Sequence, residues 1–219
     1  MAIQVETKDS TALTDADLDE MASMGGAFGI GVLSTSKEDW VLSTRARIEG
    51  KLNGFSFATL ERIGGTPCVL LGLLSVKRTA KRETVLKGLM GEAFHRALMA
   101  FPDEAVVMGA RFVAADGVEA LRPLSDIIPR PGHRAVGEER AWGRRLAKRF
   151  GVDSTYDEQS FVVKSNGQSG FLDHELLKPE RLDPEVVAMF KGVDPAKGAS
   201  LIVYGWSMAE DLLKLGSRR

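Results

Sequence analysis

One stretch, residues 66 to 101, limits what this chain can fold into more than any other: TPCVLLGLLSVKRTAKRETVLKGLMGEAFHRALMAF. Pro67 to Val76 is an almost unbroken apolar run. A run of that length between turn signals predicts a strand buried on both faces. Lys77 to Arg82 then forms a short loop carrying four basic residues. From Thr84 to Phe101, apolar residues fall at 85, 86, 89, 90, 93, 94, 97, 98 and 101, the spacing of an amphipathic helix. The order is therefore buried strand, basic loop, helix. The first turn of a helix presents N–H groups without acceptors and a partial positive charge. With Lys77, Arg78, Lys81 and Arg82 just ahead of it, this junction is a candidate anion site, best suited to phosphate.

At 219 residues the chain is long enough for one full core, or for one domain with a substantial extension. Its formal net charge of -1 gives no overall attraction to nucleic acid or anionic membrane, so the basic loop is a local feature. No apolar run reaches the length of a membrane-crossing helix. The opening residues, MAIQVETKDS, lack the basic-then-apolar order of a secretory signal, and a cytoplasmic protein is expected. The lone cysteine, Cys68, leaves no intrachain disulfide and no cysteine-rich metal site. In an apolar strand it reads as a buried, inert thiol.

Along the chain, Ile3 to Thr7 suits a short strand. Thr14 and Asp17 form a capping-box pattern that opens a helix through about Met24, ended by Gly25-Gly26. Ser36 is a candidate cap for a short helix carrying Trp40. From Ser43 the pattern predicts three antiparallel strands joined by tight turns at Asn53-Gly54 and Gly64-Gly65. Phe55, Phe57, Thr59 and Glu61 share one face by period two. Gly72, inside the third strand, suggests a bulge or the close approach of another backbone or a ligand. Residues 105 to 113 form a further apolar strand, and the helix between the two apolar runs is the crossover that a parallel pair requires. Residues 116 to 137, with three prolines, read as an irregular excursion with a short helix at Val118–Leu121. A basic helix spans Glu138 to Phe150 and closes at Gly151. A strand follows within Tyr156 to Lys164, turned at residues 165 to 167. Asp183-Pro184 starts another helix. A last strand spans Ser200 to Trp206, and a helix Met208 to Leu215.

In this order of parts the chain resembles the GNAT superfamily of N-acetyltransferases. The segment RARIEGKLNGFSFATLERIGGTPCVLLGLLSVKRTAKRETVLKGLM is similar to that family's second to fourth strands, phosphate loop and following helix. RRLAKRFGV is similar to its later helix. The resemblance covers about residues 14 to 164 and the final strand at 200 to 206. It implies a single domain over 1 to 219, with 165 to 199 as a variable insertion. The implied fold is α+β: a mixed, mostly antiparallel sheet with a central splayed parallel strand pair and flanking helices. The implied cosubstrate is acetyl-CoA or another acyl-CoA. The implied acceptor is an amine of a small molecule or peptide, with no nucleic acid and no membrane as partner. The state of assembly stays open between monomer and homodimer.

The resemblance also assigns roles. Main-chain groups of Leu74, Ser75 and Val76 would pair with the pantetheine arm and the thioester carbonyl. Lys81 falls where the family's loop carries its signature Arg or Gln. Backbone N–H groups of Arg82, Glu83, Thr84, Val85 and Leu86 would hold the pyrophosphate. The family loop usually places Gly or another small residue at the positions of Thr84 and Leu86, and many members carry a tyrosine acid where this chain has Ala147. Tyr156 and Tyr204, both on predicted strands, are the remaining candidate acids. Glu61 is the candidate base for the attacking amine. A non-catalytic domain of the same fold is the alternative, and an unrelated phosphate-binding α/β protein a third reading.

Other residues have plainer explanations. His95 reads as a helix-surface residue. His174, between Asp173 and Glu175, has no second histidine nearby in sequence, so no metal site is expected. Trp142 and Trp206 suit core anchors. Arg140, Arg144, Arg145, Lys148 and Arg149 suit a solvated face, or a contact with an acidic partner or the adenosine 3′-phosphate.

Overall fold

The computed structural model describes residues 3–24, 28–164 and 181–216. β1 (Ile3–Asp9) is followed by α1 (Asp15–Ala22) and α2 (Ile30–Asp39). β2 (Leu42–Ile48), β3 (Lys51–Ile63) and β4 (Thr66–Val76) continue from β1 as antiparallel neighbours. α3 (Arg82–Ala100) crosses over to β5 (Val106–Phe112), which lies parallel to β4. A 3-10 turn (Ala115–Leu121) leads to β6 (Ser125–Ile128), α4 (Gly137–Arg149) and β7 (Val162–Val163). Then come α5 (Pro184–Met189), β8 (Ser200–Ser207) and α6 (Ala209–Gly216). The eight strands among the described residues belong to one sheet, in the order β1-β2-β3-β4-β5-β8-β6, with β7 also paired to β8. The fold is thus a mixed, mostly antiparallel sheet with one central parallel pair and helices on both faces, as the resemblance implies.

β4 is buried from Pro67 to Val76, as its unbroken apolar run requires. On one face, Phe55, Phe57 and Leu73 pack with Leu18, Met21 and Leu33 of α1 and α2. α4 lies on the same face, with Leu146 against Gly109 of β5 and Phe150 beside Trp40. α3 covers the other face, where Val85 and Leu89 sit over Gly54, and α6 packs on α3. Thr59 and Glu61 point the same way as Phe55 and Phe57: Thr59 Oγ1 accepts from the Val41 N–H, and Glu61 meets Arg149 of α4.

Ion pairs fix α1 to the sheet. Thr14 and Asp17 form the expected capping box, with Thr14 N–H donating to Asp17 Oδ2 at 3.0 Å. The other Asp17 oxygen takes a hydrogen bond from the buried Arg45 of β2. Two residues along β2, Arg47 grips Glu20 with both terminal nitrogens. The Thr14 N–H bond does most to hold the Asp17 carboxyl below its ordinary value of 3.8; burial opposes it, and Arg45 adds to the lowering.

Four expectations need correction. Asn53-Gly54 is not a turn. The hairpin turns at Glu49-Gly50, both with positive φ, and β3 begins two residues before Asn53. The β2–β3 register skips Asn53, and Gly54 is glycine because a Cβ there would lie 2.6 Å from Val85 of α3. Ser36 does not cap a helix: it lies inside α2, its hydroxyl bonded to Val32 O at 2.8 Å. The excursion after β5 contains a strand, β6, too short to show a period. Of the strand read within Tyr156 to Lys164, only Val162 and Val163 pair as a strand; Tyr156 closes a 3-10 turn and forms an isolated bridge to Val163. Gly25-Gly26 and the turn at 165 to 167 lie outside the described residues.

A Cβ on Gly72 would lie 2.1 Å from the Trp40 ring. Gly72→Ala should therefore destabilise the fold by about 1–3 kcal/mol, from overpacking. Urea unfolding measures it, and pairing the change with Trp40→Leu should recover part of the loss. Asp17→Asn should cost about 1–2 kcal/mol at neutral pH through the cap and the Arg45 bond. Because the folded pKa is depressed, the carboxylate's contribution is full above the ordinary value of 3.8 and fades as pH falls through the lower folded value. Unfolding curves of the two proteins should converge in acid.

Candidate functional site

β4 and β5 are paired only from Cys68–Val107 to Leu71–Ala110. β4 then runs on to Val76, paired only to β3, and β5 to Phe112, paired only to β8. The separation starts at Gly72. In the β3–β4 register Phe57 faces Leu73 and Ala58 faces Leu71, so Gly72 is the extra residue of a bulge. A bulge bends its strand and raises the local twist. The Trp40 indole occupies the space that a side chain at residue 72 would need, and its ring centroid lies 6.4 Å from that of Phe150. The expected bulge is present at this glycine; the group that approaches it is a side chain, the Trp40 indole, rather than backbone or ligand.

Beyond the bulge, the side chains of Leu74, Ser75 and Val76 are all buried, so what β4 offers the gap is main chain. The direction of its groups follows from one bond: Lys77 N–H donates to Asn53 O of β3 at 2.9 Å. Backbone groups alternate in direction along a strand. Ser75 therefore faces β3, while the N–H and C=O of Leu74 and Val76 face the side from which β5 has withdrawn.

The gap leads to the basic loop and the start of α3. Lys81 is the N-cap, with no side-chain capping bond. The Arg82 N–H donates to Thr79 O at 3.1 Å and the Val85 N–H to Lys81 O at 3.0 Å. In the first turn this leaves the N–H groups of Glu83 and Thr84 without a helical acceptor. Leu86 lies further into the helix, and its side chain is buried in the core, so its bulk does not crowd the helix end. Thr84 is exposed, as are Lys77, Arg78 and Lys81. The Glu83 carboxylate is ion-paired with Arg181.

The candidate acid and base residues are not brought to this gap. Glu61 lies opposite Cys68, six residues before Leu74, roughly 20 Å along the strand. It is tied to Arg149 Nε at 2.5 Å. Tyr204 of β8 donates to Glu139 O of α4 at 3.0 Å, and its ring lies near that of Trp142. The Tyr156 hydroxyl is buried against Gly143 and has no hydrogen-bond partner among the described residues. Burial raises both phenols well above their ordinary value, which makes them poorer proton donors. Ala147 is wholly buried. Burial also pushes the Cys68 thiol up to about 11, in keeping with an inert cysteine.

Four arginines of α4 and two histidines have partners within the chain. Arg140 and Arg144 pair with Glu158, Arg145 with Glu138 and Arg149 with Glu61. His95 Nδ1 meets Gly216 O at 3.0 Å, and His133 meets Glu139. His174 lies outside the described residues. Two residues beside the gap went unmarked in the sequence. Trp40 carried no signal beyond being an aromatic near a helix end. Arg111, the first β5 residue past the parallel pairing, is wholly buried, with Nε donating to Ser200 Oγ at 3.0 Å. Burial lowers its pKa to about 10, so it stays cationic at neutral pH. A lone arginine in the apolar run AVVMGARFV was the available sign.

The two tyrosines make a contrast that stability measurements can read. Tyr204→Phe should cost about 1 kcal/mol by losing a buried hydrogen bond. Tyr156→Phe removes a hydroxyl without a partner and should leave stability unchanged or raise it by up to about 1 kcal/mol. Denaturant midpoints at equal m-value check both.

No family model and no curated protein matches the sequence. Solved structures do match, remotely. One is an aminoglycoside 6′-acetyltransferase of type Ii, at 12% identity over 57% of this chain and 86% of that one, with a TM-score of 0.42. A second is an aminoglycoside acetyltransferase from an uncultured soil metagenomic sample in complex with sisomicin, at 16% identity over 62% and 93%, with a TM-score of 0.41. A third is an aminoglycoside N-acetyltransferase in complex with CoA, at 16% identity over 46% and 72%, with a TM-score of 0.35.

Proposed function

We propose that this chain is a GNAT-type N-acyltransferase, moving an acetyl or other acyl group from acyl-CoA to an amine of a small molecule or peptide. One observation carries the reading: β4 and β5 part at Gly72, and the main chain of Leu74 and Val76 faces the opening that leads to the start of α3. An extended thioester arm would pair with that main chain as a strand would. Its pyrophosphate would meet the N–H groups of Glu83 and Thr84, with Lys77, Arg78, Lys81 and Arg82 supplying charge.

The chemistry is direct transfer. The amine lone pair attacks the thioester carbonyl carbon, the C–S bond breaks, CoA leaves as thiolate, and the proton lost by the amine ends on sulfur or water. The protein would orient both reactants and polarise the carbonyl with the Leu74 or Val76 N–H. Glu61, Tyr156 and Tyr204 stand too far from the opening, or too deep, for direct proton transfer. We read the chain as one domain acting in the cytoplasm; no helix among its described residues is long and apolar enough to cross a membrane. The second reading, a non-catalytic CoA-binding domain of the same fold, is favoured by Ala147 and by the burial of both tyrosines.

Thermal melting with acetyl-CoA, CoA and ATP tests the binding common to both readings. Acetyl-CoA and CoA should stabilise the fold saturably, by about 2.7 kcal/mol at a hundredfold excess over Kd. Lys81→Ala with Arg82→Ala should weaken that binding about tenfold, or about 1.4 kcal/mol. No stabilisation by any CoA species at millimolar concentration would end both readings. Where CoA binds, release of free thiol across an amine panel identifies the enzyme, and its absence leaves the binding domain.

A further inference from the structure

The first turn of α3 carries an acid among its bases: Glu83, the second residue of the helix, between Arg82 and Thr84. Its N–H is one of the two that the turn leaves without a helical acceptor. A carboxylate in a first turn is itself a ligand for such groups, because it can fold back onto them and the helix dipole favours it there. Two other helices of this chain show that outcome. Asp17, the third residue of α1, accepts from the Thr14 N–H at 3.0 Å, and Glu139, the third residue of α4, from the Val136 N–H at 3.0 Å. A Glu83 carboxylate folded back in this way would compete with phosphate for the N–H groups, and would repel it by charge.

In α3 the carboxylate is held elsewhere. Arg181, 98 residues further along the chain, donates from Nη1 to Glu83 Oε1. Arg181 is placed by the start of α5. Asp183 caps that helix, accepting from the Glu185 N–H at 2.8 Å. Leu182 and Val186 line the same cavity beside α3 as Leu86 and Met90. The ion pair is exposed on both sides and adds little to stability. Its effect is on where the carboxylate lies.

We propose that Arg181 is a positioning residue for the phosphate end of acyl-CoA. By holding the Glu83 carboxylate it keeps the N–H groups of Glu83 and Thr84 open to the pyrophosphate and cancels the acidic charge of that turn. This rests on the reading of the opening between β4 and β5 as a CoA site. The role differs from that of Lys77, Arg78, Lys81 and Arg82, which attract phosphate by their own charge. Arg181 acts through Glu83, so its removal harms binding only while the Glu83 carboxylate is present.

Calorimetric titration of CoA into the whole chain tests this as a double-mutant cycle, with circular dichroism to check that each variant folds. Arg181→Ala should weaken CoA binding about fivefold. In the Glu83→Ala background the same change should cost less than about twofold. Arg181→Lys, which keeps the charge, should retain most of the affinity. Equal losses in the two backgrounds would make Arg181 a direct phosphate ligand or a merely structural residue, and overturn the proposal. So would the absence of any loss, as when Lys87, one turn further along α3, takes over the carboxylate. Wild-type protein that binds no CoA overturns the CoA reading and this inference with it. Wild-type protein that binds CoA, with either of those variant outcomes, overturns this inference alone.

Discussion

The contact between the Trp40 indole and Gly72 governs the rest of the structure. A ring sits where a side chain would otherwise stand, β4 gains a residue against β3, and its pairing with β5 ends one residue earlier. The contact is itself held in place from a distance. Arg45 and Arg47 of β2 bind Asp17 and Glu20 of α1. α1 packs with α2 through Met21 and Leu33, and α2 ends at Trp40. Surface charge on one helix is thus linked through packed side chains to the course of a buried strand. Separate pairs of this kind are worth little each, but Arg45 is buried, so losing Asp17 leaves its charge to the exposed Glu6 alone.

The opening that results is lined by backbone. Side chains from Leu74 to Val76 are buried, and the candidate anion contacts are N–H groups in the first turn of α3. Such a site sets few demands on residue type. This accounts for Thr84 and Leu86 standing where the family prefers small residues: Leu86 turns into the core and Thr84 out to solvent. What the site does demand is backbone direction, which the bulge and the Lys77–Asn53 bond supply.

Much of this was legible in the residues, because strong patterns are local. The apolar run of β4, the helical period of α3, the Thr14–Asp17 box and Gly72 each carry their own physical signature. The failures share another cause. Asn53-Gly54 is a good turn pair that became a bulge and a helix-packing site because Val85, far along the chain, needs the space. Glu61 lies opposite Cys68, well along the sheet from Leu74, and strand membership alone says nothing of such a position while the register is unknown. Tyr204 and Tyr156 were polar groups without a stated depth, and burial decides what a phenol can do. Trp40 and Arg111 acquire meaning only from residues far away in sequence.

The place of β8 has a consequence for the order of events at the ribosome. This strand, reached only at residue 200, lies between β5 and β6 and is also the partner of β7. Until it emerges, one edge of β5 is bare, and β6 and β7 have no neighbour in the sheet. The meander from β2 to β4 can form from near contacts as it is made, while the other half of the sheet must wait for contacts with β8 that span about 40 to 100 residues. Synthesis would therefore present a half-built sheet with an exposed apolar strand at its margin, the kind of surface on which chaperones act.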